Sequence, residues 1–128
     1  MIETKLDKDI EIEADKYRIG QVLTNVIGNA VKFTKDGRIK VESRIHENIN
    51  KIQIKVSDTA GGIPTDVLPH LFGKFVTRSI GSEVRHGTGL GLFISKAIVN
   101  AHKGRIEADN NNEGGATFTI TLPIKHAK

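Results

Sequence analysis

The chain has 128 residues, 38% of them apolar and 27% charged, with a formal net charge of +4 and no cysteine. That is one domain's worth of chain with enough apolar residues for a single core, and it excludes disulfides and thiolate metal sites. No apolar run approaches the roughly 18 residues of a membrane span, the N-terminal MIETKLDKDIEIEAD is too charged for a secretory signal, and the scattered basic residues with a single tyrosine argue against nucleic acid as a partner.

Taken in chain order, Ile10 to Glu13 alternates like a short strand, and Asp15 is a good N-cap for a long helix running to about Phe33. Lys35-Asp36-Gly37 reads as a turn. Arg38 to Ile45 and Lys51 to Ser57 both alternate, with a turn at Asn48 to Asn50, and predict an antiparallel hairpin. A short helix is expected from Thr65 to Leu71, and a loop from Phe75 to His86. Leu90 to His102 reads as a helix, apolar on nearly every side and therefore buried. Arg105 to Ala108 is a strand, Asn110 to Gly115 a turn, and Ala116 to Leu122 the last strand. The expected fold is a single α+β domain over residues 1–128. It is a two-layer sandwich with a mixed, mostly antiparallel sheet of about five strands and about three helices on one face.

At 100° per residue the first helix divides into three stripes. Ile19, Val22, Leu23, Val26, Ile27, Ala30 and Phe33 form a broad apolar face for the sheet. Arg18, Gln21, Asn25, Asn29 and Lys32 follow one another at spacings of 3, 4, 4 and 3 on the opposite side. Gly20, Thr24 and Gly28 make a narrow stripe of small residues, which predicts close approach by another segment. The polar stripe has two readings. It is either a solvated face or a ligand face. Asparagines are poorer helix formers than the Glu and Lys that usually cover solvent faces. Amide oxygens can ligate a hard cation, and the flanking Arg and Lys can hold phosphate.

Two loops carry further chemistry. Val56 to Pro64, VSDTAGGIP, places an aspartate beside glycines at the end of a strand. There a carboxylate can accept from a ligand amino group, and glycines let a planar ring lie against the backbone; an ordinary turn is the plainer reading. Gly87-Thr88-Gly89-Leu90-Gly91 leads straight into a helix. Unpaired N–H groups and the positive end of the helix dipole suit an anion there, and glycines let a phosphate reach them. A P-loop is excluded because no Lys-Ser or Lys-Thr pair follows. A dinucleotide fingerprint is excluded because position 92 is leucine and no strand precedes the loop.

In order along the chain, QVLTNVIGNAVKFT (Gln21 to Thr34), the Asp58 to Ile63 loop, LFGKF (Leu71 to Phe75), GTGLGL (Gly87 to Leu92) and GGATF (Gly114 to Phe118) resemble the N, G1, F and G2 boxes and the final glycine-rich segment of one family. That family is the ATP-binding catalytic domain of two-component sensor histidine kinases, in the superfamily of gyrase B, Hsp90 and MutL. The resemblance runs from about Ile10 to Ile124.

The resemblance implies ATP and Mg²⁺ as cofactors and a role for each matched position. Asp58 would bind the adenine amino group, with Gly62 and Ile63 in the same loop. Asn29 would ligate Mg²⁺, Asn25 would lie close to the phosphates, Lys32 would contact phosphate and Phe33 would wall the nucleotide site. Residues Phe75 to His86 would form a lid, with Arg78 on the γ-phosphate. Gly87, Gly89 and Gly91 would bring backbone N–H groups to the phosphates, together with Thr88, Leu90 and Leu92. Phe75 and Thr117 belong to the same nucleotide-binding set. Asn25, Lys32 and Arg78 would act at the transfer itself. An amide at Asn25, where the superfamily's ATPases place a glutamate, favours transfer to another group over hydrolysis.

Ala60 stands where the G1 box has its first glycine. A positive φ there would cost about 1 kcal/mol or more for alanine. The alternative function is therefore a degenerate nucleotide-binding or protein-interaction module. An ATP-driven clamp and a serine kinase of the anti-sigma type are more distant alternatives. None of His46, His70, His86, His102 and His126 lies in a phosphoacceptor motif. The expected partner is therefore a separate dimerisation and phosphoacceptor domain of the parent kinase, with a response regulator acting indirectly. The fragment is expected to be a cytoplasmic monomer without direct membrane contact, its parent anchored or not.

Overall fold

A computed structural model describes residues 2–5, 16–33, 37–59, 62–73 and 91–124. Its elements are β1 (Ile2–Lys5), α1 (Lys16–Phe33), β2 (Ile39–His46), β3 (Lys51–Asp58), α2 (Gly91–Ala101), β4 (Arg105–Asn110) and β5 (Ala116–Pro123), with 3₁₀ turns at Glu47–Ile49 and Leu68–His70. The sheet has five strands in the order β1-β2-β3-β5-β4. β1 runs parallel to β2, and every other neighbouring pair is antiparallel. The α+β class and the mixed sheet are as the sequence predicts.

Strand alternation decides which sheet face is dry. Along β5, Ala116, Phe118, Ile120 and Leu122 are all buried, while Thr117, Thr119 and Thr121 between them are half-buried on the other face. β3 contributes Ile52 and Val56 to the same core, and β2 contributes Ile39. α1 covers this face with Val22, Val26 and Ala30, flanked by Ile19, Leu23 and Ile27. The apolar stripe therefore packs as its 3.6-residue period requires. α2 lies beside α1 and adds Leu92, Ile98 and Val99.

Several expectations change. The strand expected at Ile10 to Glu13 lies outside the described residues. The strand seen instead is β1, held by parallel pairing of Ile2 with Ile39 through Lys5 with Glu42. The helix expected from Thr65 to Leu71 is a turn followed by 3₁₀ structure. Pro69 has no N–H to continue an α ladder: Leu68 N–H still reaches back four residues to the Pro64 carbonyl, but beyond Pro69 the bonds span three, His70 to the Val67 carbonyl and Leu71 to the Leu68 carbonyl. The described residues thus contain two α-helices rather than three. α2 is not buried all round, because Lys96, Ala97, Asn100 and Ala101 are exposed. Gly20 and Gly28 are exposed too, and an ideal Cβ on either meets nothing within 4 Å, so close approach to the small stripe has no partner among the described residues.

The end of α2 shows how tightly the second helix is docked. Gly104 N–H reaches the Val99 carbonyl and Lys103 N–H the Asn100 carbonyl, at 2.9 and 3.0 Å, which is a Schellman cap. Lys103 occupies the left-handed position of that cap with φ 61°. A Cβ on Gly104 would strike the Thr121 carbonyl and sit 2.9 Å from Leu122 and 3.1 Å from Val99. Lys103→Gly is therefore expected to stabilise the domain by about 1 kcal/mol, and Gly104→Ala to destabilise it clearly. Thermal denaturation of the two variants checks both signs.

Candidate functional site

Among the described residues, the predicted positions other than Thr117 lie on the polar stripe of α1, at the end of β3 with the loop that follows it, and at the start of α2. Asn25 joins two of them. Its Nδ2 donates to the Gly91 carbonyl at 3.3 Å and to Ser95 Oγ at 3.2 Å. Gly91 opens α2, and Ser95 is fully buried within it. The polar stripe and the helix start are thus held against each other by a side-chain amide. A carbonyl can only accept, so the NH₂ end of the amide must face Gly91 and the oxygen end must turn away. One turn along α1, the Asn29 Oδ1 is buried and accepts no hydrogen bond. Lys32 is exposed at the end of the same stripe.

Asp58 closes β3 and is 1% exposed. Its Oδ1 accepts from the Ala116 N–H at 3.1 Å. Gly115 packs so closely that a Cβ there would overlap both the Asp58 carbonyl and its carboxylate. The backbone around Asp58 is held as firmly as its side chain. Asn111 Nδ2 donates to the Asp58 carbonyl at 2.9 Å, and Asn111 Oδ1 accepts from the N–H groups of Glu113 and Gly115. Thr59 N–H reaches the Arg38 carbonyl, and the Arg38 N–H returns to Thr59 Oγ1. Gly62 has φ 29° and lies against the Asn110 side chain. Asn110 takes both backbone groups of Ile63, accepting its N–H at 2.6 Å and donating to its carbonyl at 2.9 Å.

Three of the sequence-predicted residues also have partners within the fold. Ile63 is buried and its backbone groups are occupied by Asn110, so it braces the loop. Leu92 faces the core. Thr117 pairs with Ser57, the residue before Asp58. It therefore lies on the sheet face opposite the Asp58 carboxylate, with its Oγ1 donating to Ser57 Oγ at 3.1 Å. Within LFGKF, Leu71 is buried and Phe72 packs edge-to-face on Phe118, with centroids 6.3 Å apart. The Phe33 side chain, Ala60, Phe75, Arg78, Gly87, Thr88, Gly89 and Leu90 lie outside the described residues.

Sequence reasoning missed Asn110, Asn111 and Ser95. The two asparagines read as generic turn residues, and their partners lie 47 and 53 positions upstream. Ser95 did carry a signal: it is the single hydroxyl inside an otherwise apolar helix face.

Residues 14–126 match the family described as histidine kinase-, DNA gyrase B- and HSP90-like ATPase. The chain belongs to this family. Its histidine kinase members are the relatives it resembles. It is 38% identical over 124 residues to the adaptive-response sensory kinase SasA of Trichormus variabilis, covering 96% of this chain and 31% of that protein. The catalytic domain of histidine kinase ThkA superposes with a TM-score of 0.79 at 31% identity, over 96% of this chain and 80% of that one. Full-length ShkA in complex with AMPPNP gives a TM-score of 0.80 at 29% identity, over 98% of this chain and 26% of that one. The chain is thus a catalytic ATP-binding domain of the sensor histidine kinase kind and spans about a third of the SasA length. Among the described residues of this ATPase domain, no helix is long and apolar enough to cross a membrane.

The two α1 asparagines should respond oppositely to substitution. Asn25→Asp turns a carboxylate oxygen toward the Gly91 carbonyl and is expected to cost about 1–3 kcal/mol, although added negative charge would help a cation. Asn29→Ala removes a buried oxygen that has no hydrogen bond, and should leave stability unchanged or raise it. Urea denaturation separates the two.

Proposed function

We propose that this domain binds ATP with Mg²⁺ and donates the γ-phosphoryl group to a histidine on a separate dimerisation domain. The observation that carries the reading is Asn29 Oδ1, a buried oxygen on the polar stripe that accepts no hydrogen bond. Leaving such an atom unsatisfied costs about 1–3 kcal/mol. A fold retains it at little net cost when a ligand completes it. The stripe also carries Asn25 and Lys32, and Asn25 is tied to the first residue of α2, where free N–H groups favour an anion.

The donor set fits magnesium delivered with a nucleotide. Among the described residues, no three His, Cys, Asp or Glu side chains form a metal cluster. Mg²⁺ commonly takes one or two protein oxygens and fills its shell with waters and substrate phosphates. Asn29 would supply the protein oxygen. When bound, the ion neutralises charge on the triphosphate.

The other residues act by position. Asp58, buried at the end of β3, would accept from the adenine amino group. Gly62 would let the base lie near the backbone. Lys32 would balance phosphate charge, and Arg78 from the lid would reach the γ-phosphate. Gly87, Gly89 and Gly91 would present N–H groups to the phosphates. Asn25 carries an amide, which cannot take a proton from water. The site would therefore hold the phosphoryl group without activating water, leaving the attack to an incoming imidazole. Catalysis would rest on alignment and charge neutralisation. The acceptor histidine, its dimerisation domain and a downstream response regulator would belong to the rest of the signalling system.

Calorimetric titration with a non-hydrolysable ATP analogue tests this. The expected outcome is micromolar binding that strengthens with Mg²⁺, and loss of the Mg²⁺ increment in Asn29→Ala. Ala60→Gly run in parallel reads the cost of that residue. Binding only by Ala60→Gly would favour the degenerate module, and binding by neither chain would overturn the nucleotide site.

A further inference from the structure

The turn between β4 and β5 is built as a brace. Asn110, the last residue of β4, pairs in the ladder with Ala116. Ala116 is the residue whose N–H holds the Asp58 carboxylate. Asn111 holds the Asp58 carbonyl from the same turn. Asn110 reaches the other end of that loop, at Ile63, with an acceptor at 2.6 Å and a donor at 2.9 Å. Both ends, Asp58 and Ile63, are therefore pinned to adjacent residues of one turn.

The chemistry of the Ile63 contact is restrictive. A side-chain amide presents one acceptor and one donor side by side in a plane, as a peptide group does. It can therefore satisfy an N–H and a C=O of the same residue at once. A hydroxyl would have to serve both groups from a single oxygen, and a carboxylate has no donor for the carbonyl. The two fixed partners also decide the sense of the amide, with oxygen toward N–H and nitrogen toward C=O. Asn110 is itself exposed and outside the core, so core packing does not account for its place. Gly62 approaches it closely, with an ideal Cβ only 3.1 Å from Asn110 Oδ1.

We propose that Asn110 is a positioning residue for nucleotide binding, acting by clamping Ile63 so that the loop beginning at Asp58 keeps its base-side geometry. The inference rests on the nucleotide reading above and adds a residue to it. Without the clamp, the Ile63 backbone groups exchange their amide partner for water, and the loop is held at the Asp58 end alone. The base-side contact should weaken, while the Asn25–Asn29–Lys32 stripe on α1, which holds the phosphates, should not.

The test uses the 128-residue chain with Asn110→Ala and the isosteric Asn110→Asp, whose second oxygen would face the Ile63 carbonyl. Calorimetry with ADP and with a non-hydrolysable ATP analogue, each with and without Mg²⁺, is paired with amide hydrogen exchange of the unliganded chain. Both variants should melt cooperatively and show faster exchange at Ile63. Both should lose about tenfold in affinity, equally for the two nucleotides, with the Mg²⁺ increment unchanged. Asn110→Asp should lose at least as much as Asn110→Ala. Faster exchange with unaltered affinity would make the clamp merely structural and overturn the proposal. A loss confined to the triphosphate or to the Mg²⁺ increment would also overturn it. Absence of binding by the unsubstituted chain would instead remove the nucleotide reading, and the proposal with it.

Discussion

Asp58 sets the terms for the rest of the structure. It is a side chain of charge-bearing type, 1% exposed, at the point where β3 leaves the sheet. Burying such a group is costly unless hydrogen bonds hold it. The chain meets part of that requirement with backbone, at Oδ1. Ala116 supplies an N–H, and Gly115 comes so close that no side chain fits between. For this to happen β5 must be the neighbour of β3, and the turn that leads into β5 must lie beside the loop that follows Asp58. The strand order β3-β5-β4 meets both conditions. The asparagines of that turn then bind the loop at Asp58 and at Ile63.

The helix layer is subject to a similar demand. Two helices with apolar undersides could slide over a sheet of Val, Ile and Leu, since dispersion and burial have no direction. A part-buried amide-to-carbonyl hydrogen bond does have direction. Asn25 on α1 meets Gly91 and Ser95 on α2, and so fixes where the start of the second helix lies relative to the polar stripe of the first. The contact is stabilising and also sets the start of α2 against the polar stripe of α1. Asn29, one turn away, does the reverse. Its buried oxygen has no hydrogen bond and contributes nothing to the fold alone. Two asparagines four residues apart, which a sequence displays as equivalents, thus differ in surroundings: one ties the helices together, and the other holds a buried oxygen with no hydrogen bond.

Much of the fold was legible because its elements obey strong local periods. β2, β3 and β5 alternate, α1 carries an unbroken apolar stripe, and their boundaries differ from expectation by a residue or so. The exceptions have physical causes. β1 depends on a parallel partner more than thirty residues away, and four residues carry no period of their own. The expected helix near Leu68 fails because Pro69 removes a donor. The site was legible as residue types in order along the chain: asparagines on a helix face, aspartate beside glycines, glycines before a helix. Its supports were not legible. Asn110 and Asn111 act through partners far upstream, and a run of asparagines in a turn looks the same whether or not it binds anything.

The sequence by itself determined the family, the α+β class, the sheet-facing stripe of α1 and the chemical character of the residues assigned to the nucleotide. These follow from composition, period and motif order, which are properties of neighbours along a chain. Tertiary structure decided where those residues lie and what they touch. It turned Thr117 to the far side of the sheet, sent Leu92 into the core, closed the Ile63 backbone with an amide, and gave Asn25 and Asn29 different work. The reason is that hydrogen-bond partners and strand faces are fixed by register between distant segments, and register is settled only when the whole core packs.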